Sequence, residues 1–225
     1  MNLNEARSRI ERAFRSLTTA QDSSSYSTLL PASLTSGKLY EAFILGKVAE
    51  KLVTVEGYSL TLINSNHIAL KSSPGPVNRQ YPRIDVVDGG RTVAELWTDV
   101  EFLSLSYDRD RSFGPPSRGD FHELDLLVVD PGISGYPRHS QIWLGIECKN
   151  TGYSKGLLRE ILGVRRELSL LDNQRGTRFR SWPRQRVPAN PPSCLVVYTT
   201  DSRVNHYASP GETFGIDFVH QELKP

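Results

Sequence analysis

Apolar residues recur at helical spacing in three segments of the chain, and this period predicts three helices. The predicted helices cover residues 3–17, 37–52 and about 155–171. The first helix could serve as a dimerisation or partner helix, but simple packing against the body of the domain is favoured. Residues 18–36 are rich in Ser and Thr and include Pro31, which indicates a linker or an irregular segment.

The remaining apolar runs have the length, composition and turn-rich flanks of strands. Strands are predicted at residues 57–64, 81–87, 92–105, 193–200 and 214–220, and a hairpin is predicted between residues 123 and 149. Strands interleaved with helices in this order predict an α/β fold in which a mixed sheet is flanked by helices.

The hairpin at 123–149 combines strongly apolar runs with a few charged residues. Side chains alternate across a strand. One face is predicted to carry Leu124, Leu126 and Val128 on the first strand and Ile142, Leu144, Ile146 and Cys148 on the second. The other face is left with Asp125, Glu147 and Lys149. Charges on a wet hairpin face are common, but these runs are too apolar for a freely solvated edge, so partners are expected.

A further acidic residue, Glu41, interrupts the apolar stripe of the helix at 37–52. A carboxylate inside such a stripe needs a partner, either an Arg in a salt bridge or other groups of a functional site. On the strand at 92–105, Asp99 and Glu101 could be additional metal ligands, although a polar strand face is the favoured interpretation.

Composition narrows the class of protein. With 225 residues, 38% of them hydrophobic, the chain can bury one substantial core. We divide it into residues 1–36, a helix with a linker, and residues 37–225, the main domain. The net charge of +2 favours no class of partner. Cys148 and Cys194 read as reduced core residues, and no signal peptide or membrane span is evident, so a soluble cytoplasmic protein is expected.

The absence of several short catalytic motifs argues against some classes of enzyme. The five His show no ligand spacing and the two Cys form no C-x-x-C pair, which argues against a zinc site. Neither a Walker-type loop nor a Gly-x-Ser-x-Gly elbow is present, which argues against a nucleotide-driven motor and an acyl hydrolase.

The charged positions of the hairpin resemble those of the PD-(D/E)XK nuclease superfamily. An Asp on one strand, Asp125, is followed about twenty residues later by Glu147-Cys148-Lys149 on the next, and Glu41 matches the acidic residue on the first core helix. Leu124 stands where the motif has Pro. The resemblance covers residues 37–200 in element order and implies a restriction-endonuclease-like αβββαβ core.

The resemblance implies a metal-dependent nuclease, a DNA endonuclease with a restriction or defence role. Mg²⁺ or Mn²⁺ would be held by Asp125, Glu147 and the carbonyl of Cys148, with Glu41 binding a second metal or orienting a water. Lys149 would stabilise the transition state. The alternative is a catalytically silent nuclease-fold module that binds nucleic acid or a partner protein.

Nucleic acid is the expected partner, with DNA favoured over RNA, and the protein could act as a homodimer or with a partner subunit. In the superfamily the helix after the Glu-x-Lys strand often contributes a basic residue, for which Lys155 and Arg159 are candidates. Residues 173–192 contain no Asp or Glu, and a loop of guanidinium groups and aromatic rings suits phosphates and bases. The candidates there are Arg175, Arg178, Arg180 and Trp182. An Arg-rich solvent loop is the equally weighted alternative.

Overall fold

The computed structural model describes residues 3–20, 35–64, 70–71, 73–109, 114–172 and 176–223. The helices within these residues are α1 (Leu3–Leu17), α2 (Ser36–Thr54), α3 (Leu105–Arg109), α4 (Lys155–Leu168) and α5 (Ala208–Phe214). The strands are β1 (Thr18–Ala20), β2 (Ser59–Ile63), β3 (Arg83–Asp88), β4 (Arg91–Leu103), β5 (Phe121–Val129), β6 (Ile142–Lys149), β7 (Leu170–Leu171), β8 (Ala189–Asn190), β9 (Cys194–Thr199) and β10 (Ile216–His220).

Eight of these strands form one mixed sheet in the order β1-β2-β3-β4-β5-β6-β9-β10. The four pairs β2/β3, β3/β4, β4/β5 and β5/β6 are antiparallel, whereas the β1/β2, β6/β9 and β9/β10 pairs are parallel. The two short strands β7 and β8 form a separate antiparallel pair. The predicted α/β class with a mixed central sheet is therefore confirmed.

Two hydrophobic cores cover the two faces of the sheet. Along β9, Val196 packs into a core with the buried face of α2, whereas Val197 packs into a second core with residues of α4. Helix α1 contributes Phe14 to the α2 core, and its ring lies so close to Gly46 that an added Cβ would be 3.4 Å away. Helix α1 therefore packs against the body of the domain, which was the favoured interpretation.

The predicted elements agree with the structure to within a few residues. The largest difference concerns α4, which ends at Leu168 rather than 171 because Ser169 is extended and the chain continues into β7. In the Ser/Thr-rich segment, residues 18–20 form β1 at the sheet edge, and residues 21–34 lie outside the described residues. None of the described helices has the length and hydropathy needed to cross a membrane.

The predicted alternation of the hairpin is wrong at two points. On β5, Leu126 packs in the α2 core as Leu144 does, but Leu124 packs in the α4 core. On β6, Ile142 also lies in the α4 core because the register shifts between Val128 and Val129. Period-two alternation holds only for regular pairing, and each irregularity exchanges the two faces.

Candidate functional site

Three carboxylates from different elements meet beneath the first turns of α2. Glu41 comes from α2, Asp99 from β4 and Asp125 from β5, and one oxygen atom of each lies within 4.8 Å of the others. Glu41 is brought down to the sheet because its neighbours Leu45 and Val48 on the same stripe of α2 are fully packed in the core. The prediction that Glu41 lies on the buried face of the helix is thus confirmed.

Asp99 has an unusual backbone conformation in the middle of β4. Its φ of 50° lies in the left-handed region, which Asp tolerates better than most residues. Thr98 pairs with Leu126 and Val100 with Leu124, which places Asp99 opposite Asp125. Directly opposed like charges destabilise a sheet. Strained backbone and opposed carboxylates at one point are typical of a functional site.

The side chain of Asp99 is only 1% exposed, yet one of its oxygen atoms is unsatisfied. Oδ1 accepts a hydrogen bond from Lys38, whereas Oδ2 is buried and has no hydrogen-bond partner among the described residues. A buried carboxylate oxygen without a donor is costly, which makes this oxygen a ready ligand for a cation.

Lys38 is the cation nearest to this cluster. Its Nζ donates to Glu41 Oε2 at 2.6 Å and to Asp99 Oδ1. Burial alone lowers the pKa of Lys38, but the hydrogen bonds to Asp99 and Glu41 outweigh it and raise the pKa above its usual value. Burial raises the pKa of Glu41 to about 7, although Lys38 opposes this shift.

Asp125 connects the cluster to the Glu-x-Lys strand. Its Oδ2 accepts a hydrogen bond of 2.6 Å from the backbone N–H of Cys148. The pairing of Leu126 with Ile146 brings Asp125 opposite Glu147. Burial raises the pKa of Asp125, and this hydrogen bond together with the charge of Lys149 opposes the shift.

Glu147 and Lys149 form an ion pair on the other side of Asp125. They share a strand face with Gly145, which packs against Leu168 of α4, and Lys149 Nζ lies 3.9 Å from Glu160 on the same helix. Burial and the charge of Asp125 raise the pKa of Glu147 to about 8. The structure therefore divides the predicted set, since Asp125 joins Glu41 and Asp99 whereas Glu147 pairs with Lys149 towards α4.

The donor set suits a hard divalent ion. Carboxylate oxygens are the ligands that Mg²⁺ and Mn²⁺ prefer, and such ions usually retain several waters. Glu41, Asp99 and Asp125 supply three such groups, and the unsatisfied Oδ2 of Asp99 is consistent with a further cation contact. Cys148 meets the site through its N–H, while its side chain packs against the α2 core.

The candidate nucleic-acid contacts on α4 lie close to this site. Lys155 and Arg159 are both exposed in the first turns of α4, and the neighbouring Glu160 approaches Lys149. They are therefore accessible to solvent on the helix that approaches Lys149.

The Arg-rich loop lies at the opposite end of α2 from the site. The carboxylate of Glu56, just beyond α2, accepts hydrogen bonds of 2.7 to 2.9 Å from the backbone N–H groups of Arg180, Ser181 and Trp182. At 1.5 Å per residue, the 16 residues of α2 from Lys38 to Thr54 separate this loop from the site by roughly 24 Å.

The side chains of this loop are also engaged differently from the prediction. Trp182 is 7% exposed and packs edge-on against Phe179 in the core, so the prediction that it stacks on bases is wrong. The guanidinium of Arg178 pairs with Asp130 at 2.6 Å and stacks 4.8 Å from the Trp143 ring. Arg180 is exposed, and Arg175 lies outside the described residues.

Comparisons with known proteins bring no further information to these residues. The chain matches no protein-family model, no curated protein and no solved structure. Its function must therefore be argued from the geometry alone.

Two residues of the site were given too little weight by sequence reasoning. Asp99 was interpreted as part of a polar strand face, although Trp97, Val100 and Phe102 lie close to it on the same strand, and that apolar context was the available signal. The signal for Lys38 was weaker: it is a basic residue in the first turn of the helix, three positions before Glu41, and could have been recognised as its partner.

Proposed function

We propose that this protein is a metal-dependent nuclease of the PD-(D/E)XK type that hydrolyses phosphodiester bonds in nucleic acid, preferentially DNA. One observation carries the proposal: Asp125 lies between two charged groups, one formed by Glu41 and Asp99 and one by Glu147 and Lys149. Carboxylates around a shared centre beside a lysine are what phosphodiester hydrolysis by a bound divalent ion requires.

The order of elements supports a restriction-endonuclease-like core. Helix α2 precedes the antiparallel strands β4, β5 and β6, and helix α4 then leads to β9, which is parallel to β6. With β1, β2 and β3 as additional strands beside β4, this arrangement accommodates an αβββαβ core. The acidic residue of α2, Glu41, meets Asp99 of β4 and Asp125 of β5 over the middle of the sheet.

The residues of the site would have different roles in hydrolysis. Mg²⁺ or Mn²⁺, when bound, would acidify a water and neutralise charge on the phosphate. Asp125, Glu41 and Asp99 would hold the ion, and Glu147 would hold Lys149 and provide a further oxygen ligand. Burial lowers the pKa of Lys149, but the charge and hydrogen bond of Glu147 outweigh it, so the amine stays protonated. Lys149 therefore stabilises developing negative charge rather than acting as a base.

Substrate cleavage tests this proposal. Supercoiled plasmid, linear duplex, single-stranded DNA and RNA are incubated with the protein in EDTA, Mg²⁺ or Mn²⁺. We expect metal-dependent cleavage that falls about 100-fold or more in Lys149→Ala, the scale of removing one transition-state donor. Lys47→Ala, which removes an exposed lysine of α2, is the matched control and should cleave normally. Unchanged cleavage by Lys149→Ala protein contradicts the proposal.

A silent nucleic-acid-binding module is the second candidate, and a specific feature favours it. Lys38 already neutralises Glu41 and Asp99, and Lys149 already pairs with Glu147, so the acidic groups have cationic partners within the chain. For such a module, fluorescence anisotropy would show binding of nucleic acid that does not depend on a divalent ion, without cleavage under any condition.

A further inference from the structure

Lys38 lies where helix electrostatics disfavour a cation. It is in the first turn of α2, three residues after the Thr35 N-cap, and the partial positive charge of a helix N-terminus repels an ammonium group. Its partner Glu41 follows at i+3, and a cation that precedes its acidic partner is the less favourable order on a helix. The position of Lys38 is therefore explained by the buried acidic groups that it faces rather than by the helix.

The ammonium group of Lys38 contacts two of the three residues that could hold a metal ion. Its Nζ contacts Glu41 Oε2 and Asp99 Oδ1, and these two residues contribute two of the three carboxylates of the cluster. Two cations bound to the same oxygen atoms repel each other strongly at such short range. An ion that took Glu41 Oε2 and Asp99 Oδ1 as ligands would therefore compete with the ammonium group of Lys38 for these oxygen atoms.

We propose that Lys38 is a built-in placeholder cation: it holds Glu41 and Asp99 together in the absence of metal, and a divalent ion binds only by displacing it. This inference rests on the proposed function in one respect, that the carboxylates bind a divalent ion. It adds that Asp99 is a ligand and that the chain itself sets a threshold for metal loading.

Two features make the exchange physically feasible. The Lys38 side chain is 23% exposed and sits in the first turn of a helix, so its flexible stem can carry the ammonium into solvent. Asp99 Oδ2 is buried without a hydrogen-bond partner among the described residues even with Lys38 in place. A divalent ion gives the cluster more charge than one ammonium group and can reach this second oxygen.

Removal of the ammonium group tests the inference through metal binding rather than activity. In Lys38→Met protein without nucleic acid, we expect calorimetry to show a Mn²⁺ Kd about tenfold lower than in wild type, because a charged hydrogen-bonding competitor is gone. The melting temperature should fall without metal and recover when Mn²⁺ is added. Lys47→Met is the matched control, since Lys47 also pairs with an acidic residue three positions later, Glu50, but on an exposed surface.

A measurement on the unmodified chain protects the test against misfolding of the variant. Lysine acetylation followed by mass spectrometry should show Lys38 reacting slowly in EDTA and several-fold faster in saturating Mn²⁺, with the rate at Lys47 unchanged. Weaker Mn²⁺ binding in Lys38→Met, or equal protection of Lys38 with and without Mn²⁺, would overturn the inference.

The outcomes separate this inference from the proposed function. Mn²⁺ binding that is insensitive to both Lys38→Met and Asp99→Asn refutes the placeholder role and leaves a metal-dependent nuclease intact. No Mn²⁺ binding by wild type or Lys38→Met removes the premise and favours the silent module. Binding that Lys38→Met strengthens and Asp99→Asn weakens establishes the placeholder, even if no substrate is ever cleaved.

Discussion

Glu95 accepts several buried hydrogen bonds that should stabilise β4, the strand that carries Asp99. It lies four residues before Asp99 on β4 and is 2% exposed. Arg79 donates to both carboxylate oxygen atoms of Glu95 at 2.9 Å. The same carboxylate also accepts hydrogen bonds from the backbone N–H of Gly132 at 3.0 Å and from Trp97 Nε1 at 3.1 Å. This carboxylate therefore joins two loops to the strand that carries Asp99.

We expect Glu95→Gln to destabilise the fold substantially. The amide would present hydrogens to groups that are themselves donors, and breaking a buried pair costs about 3 to 5 kcal/mol. Arg79 keeps 34% of its side chain exposed and can rehydrate, so we take the lower end, about 3 kcal/mol. For a chain of this size that free energy corresponds to a fall in melting temperature of about 6–12 °C.

The loss should depend on pH in a defined direction. Burial alone raises the pKa of Glu95, but the hydrogen bonds from Arg79, Gly132 and Trp97 outweigh it and hold the pKa below its ordinary value of 4.5. A lowered folded-state pKa contributes stability that is complete above the ordinary value and disappears as the pH falls through the folded-state value. The difference between wild type and Glu95→Gln should therefore be full at pH 7 and shrink below about pH 4.5.

Urea unfolding followed by circular dichroism at pH 7 and pH 3.5 measures this difference directly. Glu50→Gln is the control, since the side chain of Glu50 is 46% exposed and pairs with Lys47, and the substitution should change stability by less than about 0.5 kcal/mol. A loss below about 1 kcal/mol at pH 7 for Glu95→Gln, or a loss that grows in acid, refutes the reasoning.

Two further predictions concern the Glu-x-Lys strand and its surroundings. A Cβ at Gly145 would lie 2.5 Å from Leu124 Cδ1, so Gly145→Ala should reduce the free energy of unfolding by about 1–3 kcal/mol, and an unaffected denaturation midpoint would contradict this packing. Replacing both Lys155 and Arg159 by Ala should weaken nucleic-acid binding and reduce the slope of log affinity against log salt by about 2, measured by anisotropy. Arg178→Ala should leave that slope unchanged, because its guanidinium faces Asp130 and Trp143 far from the site. If Arg178→Ala reduces the slope and the double variant does not, the binding surface lies at the Arg-rich loop rather than on α4.

Local pattern predicted most of the elements because their signals are local. Helix α2 was recognised from the stripe that includes Ile44 and Leu52, and its conflict with Glu41 was visible in the same stripe. The hairpin strands were recognised from β-branched and aliphatic runs, and their charged positions indicated a candidate site. These inferences need only neighbouring residues, since burial of one face imposes a period on the sequence.

In the loop at 173–192, amino-acid composition led to a wrong prediction for Trp182. Its Arg and aromatic residues suggested nucleic-acid contact, yet Trp182 fills the core and Glu56, 126 positions earlier, holds the backbone. No local signal tells a ring that stacks on a base from one that packs on Phe179. The distinction depends on which distant residues surround it.

The sequence by itself determined the three long helices, the longer strands, the α/β class and the presence of isolated acidic residues in apolar surroundings, but not α3 or the short strands β1, β7 and β8. Only the tertiary structure decided which of those acids meet. The left-handed φ at Asp99 and the pairing of β4 with β5 bring Asp99 opposite Asp125, and the packing of α2 places Lys38 and Glu41 above them. Charges far apart in sequence act together only when chain geometry brings them within a few ångströms, where Coulomb energies are large.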